Sequence, residues 1–377
     1  MNNFAELELT PQLLKGVDAA GFAKPFPIQE RAITPLLAGL DVIGQAKTGT
    51  GKTAAYGLPL LQTLNTRAYQ VQALVLSPTR ELAVQIAQEI RKLGMFVGAN
   101  ILTVYGGQSI KVQFEGLRKG AHVIVGTPGR VIDHIKRGTL RLDRVKFAVL
   151  DEADTMLEMG FIDDIEFILN CAPDHRQLSL FSATMPQRII ELSKRYMQSP
   201  QRILVDSDEP SVDELEQYYA VVDQDLKLRI IVDILARERG SSVMIFCNTK
   251  RGARRLAAEL DRRHLNAVPL HGDLSQRQRD RSMHIFRSGR ADILVATDVA
   301  SRGIDIRRVG CVISYHVPEN PLLYFHRIGR TARAGDSGKA YTLVSREEFG
   351  DFARIRNLTK AMIRPLRPED DGHAFLA

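Results

Sequence analysis

Short apolar runs recur along the whole chain and alternate with stretches whose apolar residues have helical spacing. Runs of about four to six apolar residues bounded by polar ones are typical of buried strands. They fall at 41–46, 71–76, 100–105, 122–126, 147–150 and 177–184 in the first half, and at 217–222, 242–247, 266–270, 292–296, 310–316 and 339–343 in the second. Strands that alternate with helices form parallel sheets. The pattern therefore predicts an α/β fold made of two related parallel-sheet units in tandem.

A short acidic segment separates the two halves. Residues 206–214 contain five acidic residues and one proline but no basic residue, which is typical of an exposed linker. A chain of 377 residues also exceeds the usual size of one hydrophobic core. We therefore predict a first domain at 1–205, a second domain at 215–368 and a short tail at 369–377.

Two helices can be predicted with their ends. Residues 10–20 read as a short helix with Thr10 as its cap and Pro11 in its first turn. In the second half, residues 250–263 follow a predicted strand and have helical spacing.

The overall composition is that of a globular protein, with 44% hydrophobic and 25% charged residues. No apolar run approaches the roughly 20 residues that span a bilayer, and the N-terminus does not resemble a secretory signal. The cysteines Cys171, Cys247 and Cys311 are far apart and lack the spacing of a metal site. We therefore predict a cytoplasmic protein with no membrane partner.

Positive charge is concentrated in the second half. Residues 215–368 hold 28 Lys and Arg against 17 Asp and Glu, a net charge of +11, and most of the basic residues are arginine. Arginine matches phosphate groups and stacks on bases better than lysine does. The excess favours a polyanionic partner, although a merely solvated basic surface is the alternative.

The segment 41–53 joins a predicted strand to a glycine-rich loop that ends in Gly-Lys-Thr. In a loop of this kind backbone N–H groups hold phosphates, Lys52 reaches the β- and γ-phosphates, and the Thr53 hydroxyl is a ligand of Mg²⁺. Ala46 stands at the first motif position, which is usually Gly. The other loop residues of this predicted ATP site are Lys47, Thr48, Gly49, Thr50 and Gly51. The second half has no Gly-Lys-Thr after strand 242–247, so we expect one nucleotide per chain.

Three acidic residues follow the apolar run at 147–150. Asp151, Glu152 and Asp154 would lie at the C-terminal end of a buried strand, where parallel sheets place their ligands. We predict that Asp151 helps to hold Mg²⁺ and that Glu152 activates the attacking water. The alternative is an acidic turn in which Asp154 only caps the next helix.

Three successive strands of the first half end in loops of small residues, hydroxyls and arginine. These loops contain Pro78, Thr79, Arg80, Gly106, Gly107, Thr127, Pro128, Gly129 and Arg130. Such loops, with helix N-termini behind them, suit a sugar-phosphate backbone and carry little base information. Each loop is ordinary by itself, but three in succession predict a track for a nucleic-acid backbone.

Two further features point to a nucleotide. Gln29 follows a turn-rich segment, and its amide can both donate to and accept from an adenine edge. Near the end of the chain, Arg327, Arg330 and Arg333 recur every three residues, which on a helix would place them near one face. We predict that Arg330 and Arg333 neutralise charge on the γ-phosphoryl group, because the phosphate-loop domain lacks an arginine finger of its own.

Together these segments resemble the DEAD-box family of RNA helicases over nearly the whole chain. The resemblance rests on Gln29, 46–53, 78–83, 127–130, 151–154 and 182–184. It implies two tandem RecA-like domains joined by a short linker, with ATP and Mg²⁺ bound in one site between them. Phe26 departs from the family, which usually has a hydroxyl residue there, and Ala332 replaces the commoner Gly.

The resemblance also implies roles for residues that the pattern alone does not single out. For ATP these are Phe4, whose ring would pack on adenine, Phe22, Gly303, and Asp305 near the ribose. For RNA they are Gly272, Gln276 and Thr297, and for catalysis His326. Asp154 with Ser182, Ala183 and Thr184 would couple the nucleotide's state to the rest of the chain.

The predicted function is RNA-stimulated ATP hydrolysis that requires closure of the two domains. The resemblance implies local, sequence-tolerant separation of RNA duplexes by a protein that we expect to be a monomer. Two alternatives stay open: a DNA-directed helicase of the same superfamily, and an ATP-gated RNA clamp without net unwinding.

Overall fold

The computed structural model describes residues 3–46, 50–205, 215–301, 309–319, 321–331, 338–359 and 362–366. The chain folds into two units, Met1–Ser207 and Asp208–Ala377. The domain bounds proposed from the sequence stay predictions, because the segment 206–214 lies outside the described residues.

The first unit alternates strands and helices in the order that its apolar runs predict. Its strands are β1 (Val42–Gln45), β2 (Ala73–Leu76), β3 (Ile101–Val104), β4 (Val123–Gly126), β5 (Phe147–Asp151), β6 (Gln177–Ser182) and β7 (Gln201–Leu204). Its helices are α1 (Pro11–Ala19), α2 (Pro27–Leu37), α3 (Lys52–Gln62), α4 (Arg80–Leu93), α5 (Ile110–Arg118), α6 (Pro128–Lys136), α7 (Ala153–Glu158), α8 (Ile162–Asn170) and α9 (Gln187–Tyr196), preceded by a 3₁₀ turn at Phe4–Leu7.

The second unit is built in the same way. Its strands are β8 (Leu215–Val221), β9 (Val243–Phe246), β10 (Ala267–Leu270), β11 (Ile293–Ala296), β12 (Cys311–Ser314), β13 (Gly338–Val344) and β14 (Ile363–Pro365). Its helices are α10 (Lys227–Arg237), α11 (Lys250–Arg262), α12 (Gln276–Arg287), α13 (Asp298–Ser301), α14 (Pro321–Ile328) and α15 (Phe349–Thr359), with 3₁₀ turns at Gln224–Leu226 and Arg346–Glu348.

Both sheets are parallel and have seven strands in the same order. The first sheet runs β3-β4-β2-β5-β6-β1-β7, and the second runs β10-β11-β9-β12-β13-β8-β14. In each unit this is third, fourth, second, fifth, sixth, first, seventh. The prediction of two related parallel-sheet units in tandem is therefore confirmed.

The strands read as continuous apolar runs because helices cover both faces of each sheet. Along β2, Ala73 and Val75 pack into one core cluster, whereas Leu74 and Leu76 pack into the cluster on the opposite face. Successive side chains of a strand point to opposite faces, so an interior strand such as β2 has no solvent-facing position. This burial fixes the sheet as a rigid platform for the loops at its edge.

Two strands and one cap differ from the predictions. The edge strands β7 and β14 were not predicted, because edge positions do not require an unbroken apolar run. Thr10 lies at the N-cap position of α1, but its side chain makes no capping hydrogen bond there. Its backbone N–H instead donates to Gln62 Oε1 at 2.9 Å, which ties the start of α1 to the end of α3.

A buried lysine begins the first long helix of the second unit. Lys227 is fully buried, and its Nζ donates to Glu348 Oε2 at 2.7 Å and to the carbonyls of Tyr315 and Leu343 at 2.9 and 3.1 Å. A buried ammonium is tolerated only when it is paired in this way. Within the described part of the chain, no helix is long and apolar enough to cross a membrane.

Candidate active site

The phosphate loop connects β1 to α3. Gly51 adopts a left-handed conformation with φ 83° at the N-cap of α3, which glycine adopts without strain. Lys52 begins the helix, is 7% exposed, and donates from Nζ to the carbonyl of Ala46 at 3.0 Å. This bond connects Lys52, at the end of the loop, to Ala46 at its start. Lys47, Thr48 and Gly49 lie outside the described residues.

Gln29 connects the glutamine segment directly to this loop. The residue is fully buried, its Nε2 donates to Gly51 O at 3.0 Å, and its Oε1 accepts from the Phe26 N–H at 2.9 Å. The Phe26 ring is 47% exposed and lies beside the loop, since its Cδ2 is 3.0 Å from a Cβ built on Gly51. Gln29 thus fixes the position of the residue that precedes Lys52.

The two aromatic residues of the predicted adenine site lie together at the N-terminus. Phe4 is buried in the core and meets Phe22 edge to face, with ring centroids 6.0 Å apart. Phe22 is half-buried, so it is the more accessible ring of the pair. The contact of either ring with adenine remains a prediction.

The acidic residues lie at the end of β5 on a turn with an unusual backbone. Glu152 has φ 52°, a left-handed conformation that is rare for residues other than glycine and is often found at active sites. Asp151 accepts from the Glu152 N–H at Oδ1 (2.9 Å) and from the Tyr56 hydroxyl at Oδ2 (2.8 Å). Both oxygens of this buried carboxylate are therefore held in place.

Burial is the largest influence on the pKa values of Asp151 and Tyr56. Desolvation raises the pKa of Asp151, while the charge of Lys52 and the Tyr56 hydrogen bond act in the opposite direction. Burial, and then the charge of Asp151, raise the pKa of Tyr56 well above its usual value, so its hydroxyl keeps the proton that it donates. Tyr56 was not predicted from the sequence. The available signal was its position one helical turn after Lys52, on the same side of α3.

Asp154 links the acidic turn to the end of β6. Its Oδ2 accepts from the N–H groups of Ala183 and Thr184 at 3.1 and 2.8 Å and from the Thr184 hydroxyl at 2.9 Å. In return, the Asp154 N–H donates to Ser182 Oγ at 3.2 Å. The interpretation of Asp154 as a helix cap is wrong: α7 has Glu152 at its N-cap position, and the Asp154 carboxylate faces the neighbouring strand.

The three predicted backbone-binding loops of the first unit lie side by side. They follow β2, β4 and β3, which are adjacent parallel strands, so their C-terminal ends meet at one edge of the sheet. Thr79 caps α4, and Pro128 occupies the first turn of α6 after Thr127. A Cβ built on Gly106 or on Gly129 would meet nothing within 4 Å, so the backbone is open to close approach there.

The second unit repeats this arrangement after β10 and β11, which are also neighbours. Gly272 packs against Lys250, whose Nζ lies 3.0 Å from Asp273 Oδ1. Thr297 is 5% exposed and its N–H donates to Leu270 O at 3.2 Å, while Gln276 opens α12. The structure therefore brings the loops of Gly272 and Thr297 together at one edge of the second sheet.

The arginine segment differs from its prediction. Helix α14 ends at Ile328, so Arg330 lies in the following turn rather than on a helical face shared with Arg327. Arg327 is 1% exposed, with its Nε and Nη2 each 2.7 Å from Asp298, and it also donates to His316 O at 2.6 Å. It holds the second unit together and presents no guanidinium to a phosphate.

The remaining residues of this segment are only partly described. Arg330 and His326 are half-buried. Gly303, Asp305, Ala332 and Arg333 lie outside the described residues. The buried Arg327–Asp298 ion pair was not anticipated, because nothing in the local pattern distinguishes it from the neighbouring arginines.

Comparison with known proteins agrees with this architecture. The family model described as DEAD/DEAH box helicase matches residues 26–192, and that of the helicase conserved C-terminal domain matches residues 226–335. The chain is 46% identical over 368 residues to the DEAD-box ATP-dependent RNA helicase CshA of Geobacillus kaustophilus, covering 98% of this chain and 79% of that protein.

Two solved structures show the same fold at substantial identity. Dbp5 of S. cerevisiae, bound to RNA and ADP BeF3, is 34% identical with a TM-score of 0.88, covering 98% of this chain and 97% of that one. Mss116p, bound to ssRNA and AMP-PNP, is 29% identical with a TM-score of 0.86, covering 98% of this chain and 79% of that one. With two RecA-like sheets, a phosphate loop and an Asp-Glu-Ala-Asp turn tied to the end of β6, the chain belongs to the DEAD-box family of ATP-dependent RNA helicases.

Proposed function

We propose that this ATP-dependent RNA helicase couples hydrolysis at the first unit's phosphate loop to the remodelling of RNA held by the loops of both units. The observation that carries the proposal is the bonding of Asp154. It lies two residues after Glu152 and accepts three hydrogen bonds from Ala183 and Thr184. A change at the acidic turn is therefore transmitted directly to the segment after β6.

On the nucleotide side, Lys52 binds the β- and γ-phosphates, and Glu152 orients and deprotonates the attacking water. The hydroxyl of Thr53 and the carboxylate of Asp151 would hold Mg²⁺, partly through water. These oxygen donors suit Mg²⁺, which is usually bound to one or two protein ligands and several waters. Among the described residues, no group of three or more His, Cys, Asp or Glu could hold a metal ion. When bound, the metal neutralises charge on the phosphates.

The other predicted contacts are assigned to the adenine, the ribose and the γ-phosphoryl group of the nucleotide. Phe22, Phe4 and Gln29 would recognise adenine, and Gly303 and Asp305 would contact the ribose. Arg330 and Arg333 supply positive charge to the γ-phosphoryl group, with His326 beside them in sequence. Hydrolysis then depends on residues of both halves of the chain, and RNA that binds both halves would favour it.

On the RNA side, we propose that the sugar-phosphate backbone runs along the C-terminal loops of β2, β3 and β4 and of β10 and β11. The open backbone at Gly106 and Gly129 supports this, as do the RNA-bound states of Dbp5 and Mss116p. Contacts to phosphate and 2′-OH would make binding tolerant of sequence but selective for RNA. Cytoplasmic location and a monomeric state stay predictions from the sequence.

Steady-state ATP hydrolysis tests the proposal when it is measured without nucleic acid, with single-stranded RNA, and with DNA of matching sequence. We expect stimulation by RNA alone. Equal stimulation by DNA would favour the DNA-directed alternative, and no stimulation by either would contradict the coupling. A duplex-separation assay then distinguishes an unwinding enzyme from a clamp, which would retain RNA in the presence of ATP without separating strands.

A further inference from the structure

Helix α5 is attached to the first unit by a polar side chain. The single fully buried residue among its nine is Gln113, at 1% exposure, whereas its neighbours Val112 and Phe114 are 54% and 39% exposed. A surface helix normally buries an apolar stripe against the core. In α5 the half-buried Leu117 packs against a core cluster, but the fully buried side chain is an amide, so the position of the helix also depends on the hydrogen bonds that this amide makes.

The Gln113 amide uses both its nitrogen and its oxygen. Its Nε2 donates to the carbonyl of Tyr105 at 2.9 Å and to Gln108 Oε1 at 3.0 Å. Its Oε1 accepts from Arg130 Nη1 at 3.3 Å and lies 3.1 Å from His134 Nε2. The Tyr105 carbonyl can only accept, so the orientation of the amide is fixed.

The orientation of the Gln113 amide also determines that His134 Nε2 carries a proton. Gln113 Oε1 carries no proton, so His134 Nε2 must donate to it. Burial, and then the nearby Arg130 charge, lower the pKa of His134, and its Nδ1 lies 2.8 Å from the Thr139 hydroxyl oxygen, which donates to the His134 carbonyl at 3.0 Å. A buried network of this kind is well ordered when every member has a partner, and costly when one is removed.

The network connects two of the predicted RNA-binding loops. Tyr105 and Gln108 bracket Gly106 and Gly107, and Arg130 lies in the first turn of α6, where its Nη1 also donates to Gln108 O at 3.0 Å. Gly107 has φ 87°, and a Cβ there would lie 2.5 Å from Arg80 Nη1. The loop is therefore confined between Arg80 on one side and the Gln113–Arg130 contact on the other.

We infer that Gln113 is a positioning residue for RNA binding: it sets the distance between the Gly106–Gly107 loop and the N-terminus of α6. This inference rests on the proposed RNA-binding role of those loops. Gln113 itself is buried and does not contact RNA. It acts through Tyr105, Gln108 and Arg130, so its loss alters the RNA site and leaves the phosphate loop intact.

The test compares Gln113→Leu with a matched control, Gln72→Leu. Gln72 is also a buried glutamine, at 2% exposure, and bonds to Asn65 N, Asn65 O and Ala68 O at 2.9, 2.8 and 3.2 Å. It precedes β2 and so lies at the opposite edge of the sheet from the loops. The two variants remove similar buried bonds, but only one removes them beside the proposed RNA track.

RNA affinity is measured with a non-hydrolysable ATP analogue, together with nucleotide affinity and thermal unfolding. We expect Gln113→Leu to weaken RNA binding about tenfold, and to raise the KM for RNA with kcat changed less than about twofold, as loss of hydrogen bonds to a charged partner predicts. Nucleotide affinity should be unchanged. Gln113→Glu keeps the acceptor for Arg130 and His134 but loses the donor to Tyr105, so its RNA affinity should be intermediate.

Several outcomes distinguish a failure of the inference from a failure of the proposed function. RNA affinity of Gln113→Leu equal to that of the wild type, or an equal loss in Gln72→Leu, overturns the inference. If the leucine variant folds poorly, wild-type RNA affinity in Gln113→Glu overturns it equally. Arg130→Ala tests the loops themselves: if it also leaves RNA affinity unchanged, the proposed RNA track is wrong, whereas weakening by Arg130→Ala alone refutes only the role of Gln113.

Discussion

The hydroxyl of Tyr56 donates to Asp151 Oδ2 at 2.8 Å in the interior of the first unit. The other oxygen of Asp151 is held by the Glu152 N–H at 2.9 Å, so the carboxylate cannot rotate without losing a bond. An oriented carboxylate loses less freedom on binding a hydrated metal than a mobile one does, because its geometry is already set.

Tyr56→Phe should therefore weaken the contribution of Mg²⁺ to nucleotide binding. We expect the ratio of ADP affinities with and without Mg²⁺ to fall roughly three- to tenfold, in line with second-shell substitutions and the loss of one hydrogen bond to a charged group. Tyr324→Phe is the matched control, since it removes a buried hydroxyl bonded to Gln217 Oε1 at 2.9 Å in the second unit. An unchanged ratio in Tyr56→Phe would show that the bond does not affect the metal.

Glu152→Gln tests the assignment of the catalytic base. The amide has nearly the same shape but cannot take a proton, so hydrolysis should fall by about 10²- to 10⁴-fold. Affinities for ATP and RNA should be retained, because the side chain acts on the water. Single-turnover hydrolysis and equilibrium binding check both expectations, and wild-type turnover would remove Glu152 from this role.

Thr184→Val tests the coupling through Asp154. The change removes the hydroxyl that donates to Asp154 Oδ2 at 2.9 Å but keeps the Thr184 N–H, which donates at 2.8 Å. We expect RNA-stimulated hydrolysis to change less than about threefold while duplex separation falls about tenfold, as the loss of one charge-assisted hydrogen bond predicts. A parallel fall in both rates would mean that Thr184 contributes to catalysis itself rather than to coupling.

His316 should make the stability of the second unit depend on pH. Burial lowers the pKa of His316 to about 4, with further contributions from the positive charges of Lys227 and Arg327. In the unfolded chain His316 takes up a proton near pH 6.5, whereas in the folded protein it does so only near pH 4. The contribution of neutral His316 to the free energy of unfolding is therefore full above pH 6.5 and is lost as the pH falls towards 4. The melting temperature of His316→Gln should fall less than that of the wild type between pH 7 and 5, by a few degrees. Equal falls in the two proteins would contradict the shift.

Much of the fold could be predicted because several interior strands are apolar on both faces. The strand from Phe147 to Asp151 and the one from Val243 to Phe246 read as apolar runs because both of their faces are covered. Edge strands such as Gln201–Leu204 keep exposed positions and so lack that signature. The informative signal was therefore the unbroken apolar run, rather than the strand propensity of single residues.

The candidate site was predictable where a motif is contiguous and not where a contact is formed by tertiary folding. Lys52 and Asp151 belong to recognisable contiguous motifs. Tyr56 instead acts through a partner 95 residues away, and Gln113 through partners 5 to 21 residues away. The prediction that the arginines share one helical face was wrong, because α14 ends before Gly329. Arg327 is buried, and Arg330 lies in a turn. Spacing along a sequence predicts a shared face only while the helix continues.

The identical strand order of the two sheets has a consequence for the second unit. Lys52 begins the helix after the first strand of one sheet, and Lys227 begins the long helix after the first strand of the other. We propose that the first lysine binds phosphate, whereas the second is paired with Glu348, 2.7 Å away. A nucleotide binding there would have to displace a carboxylate that belongs to the fold. With the role that we propose for Lys52, the two lysines have different anions: a substrate phosphate in the first unit, and in the second unit a side chain of the protein itself, which stabilises the fold.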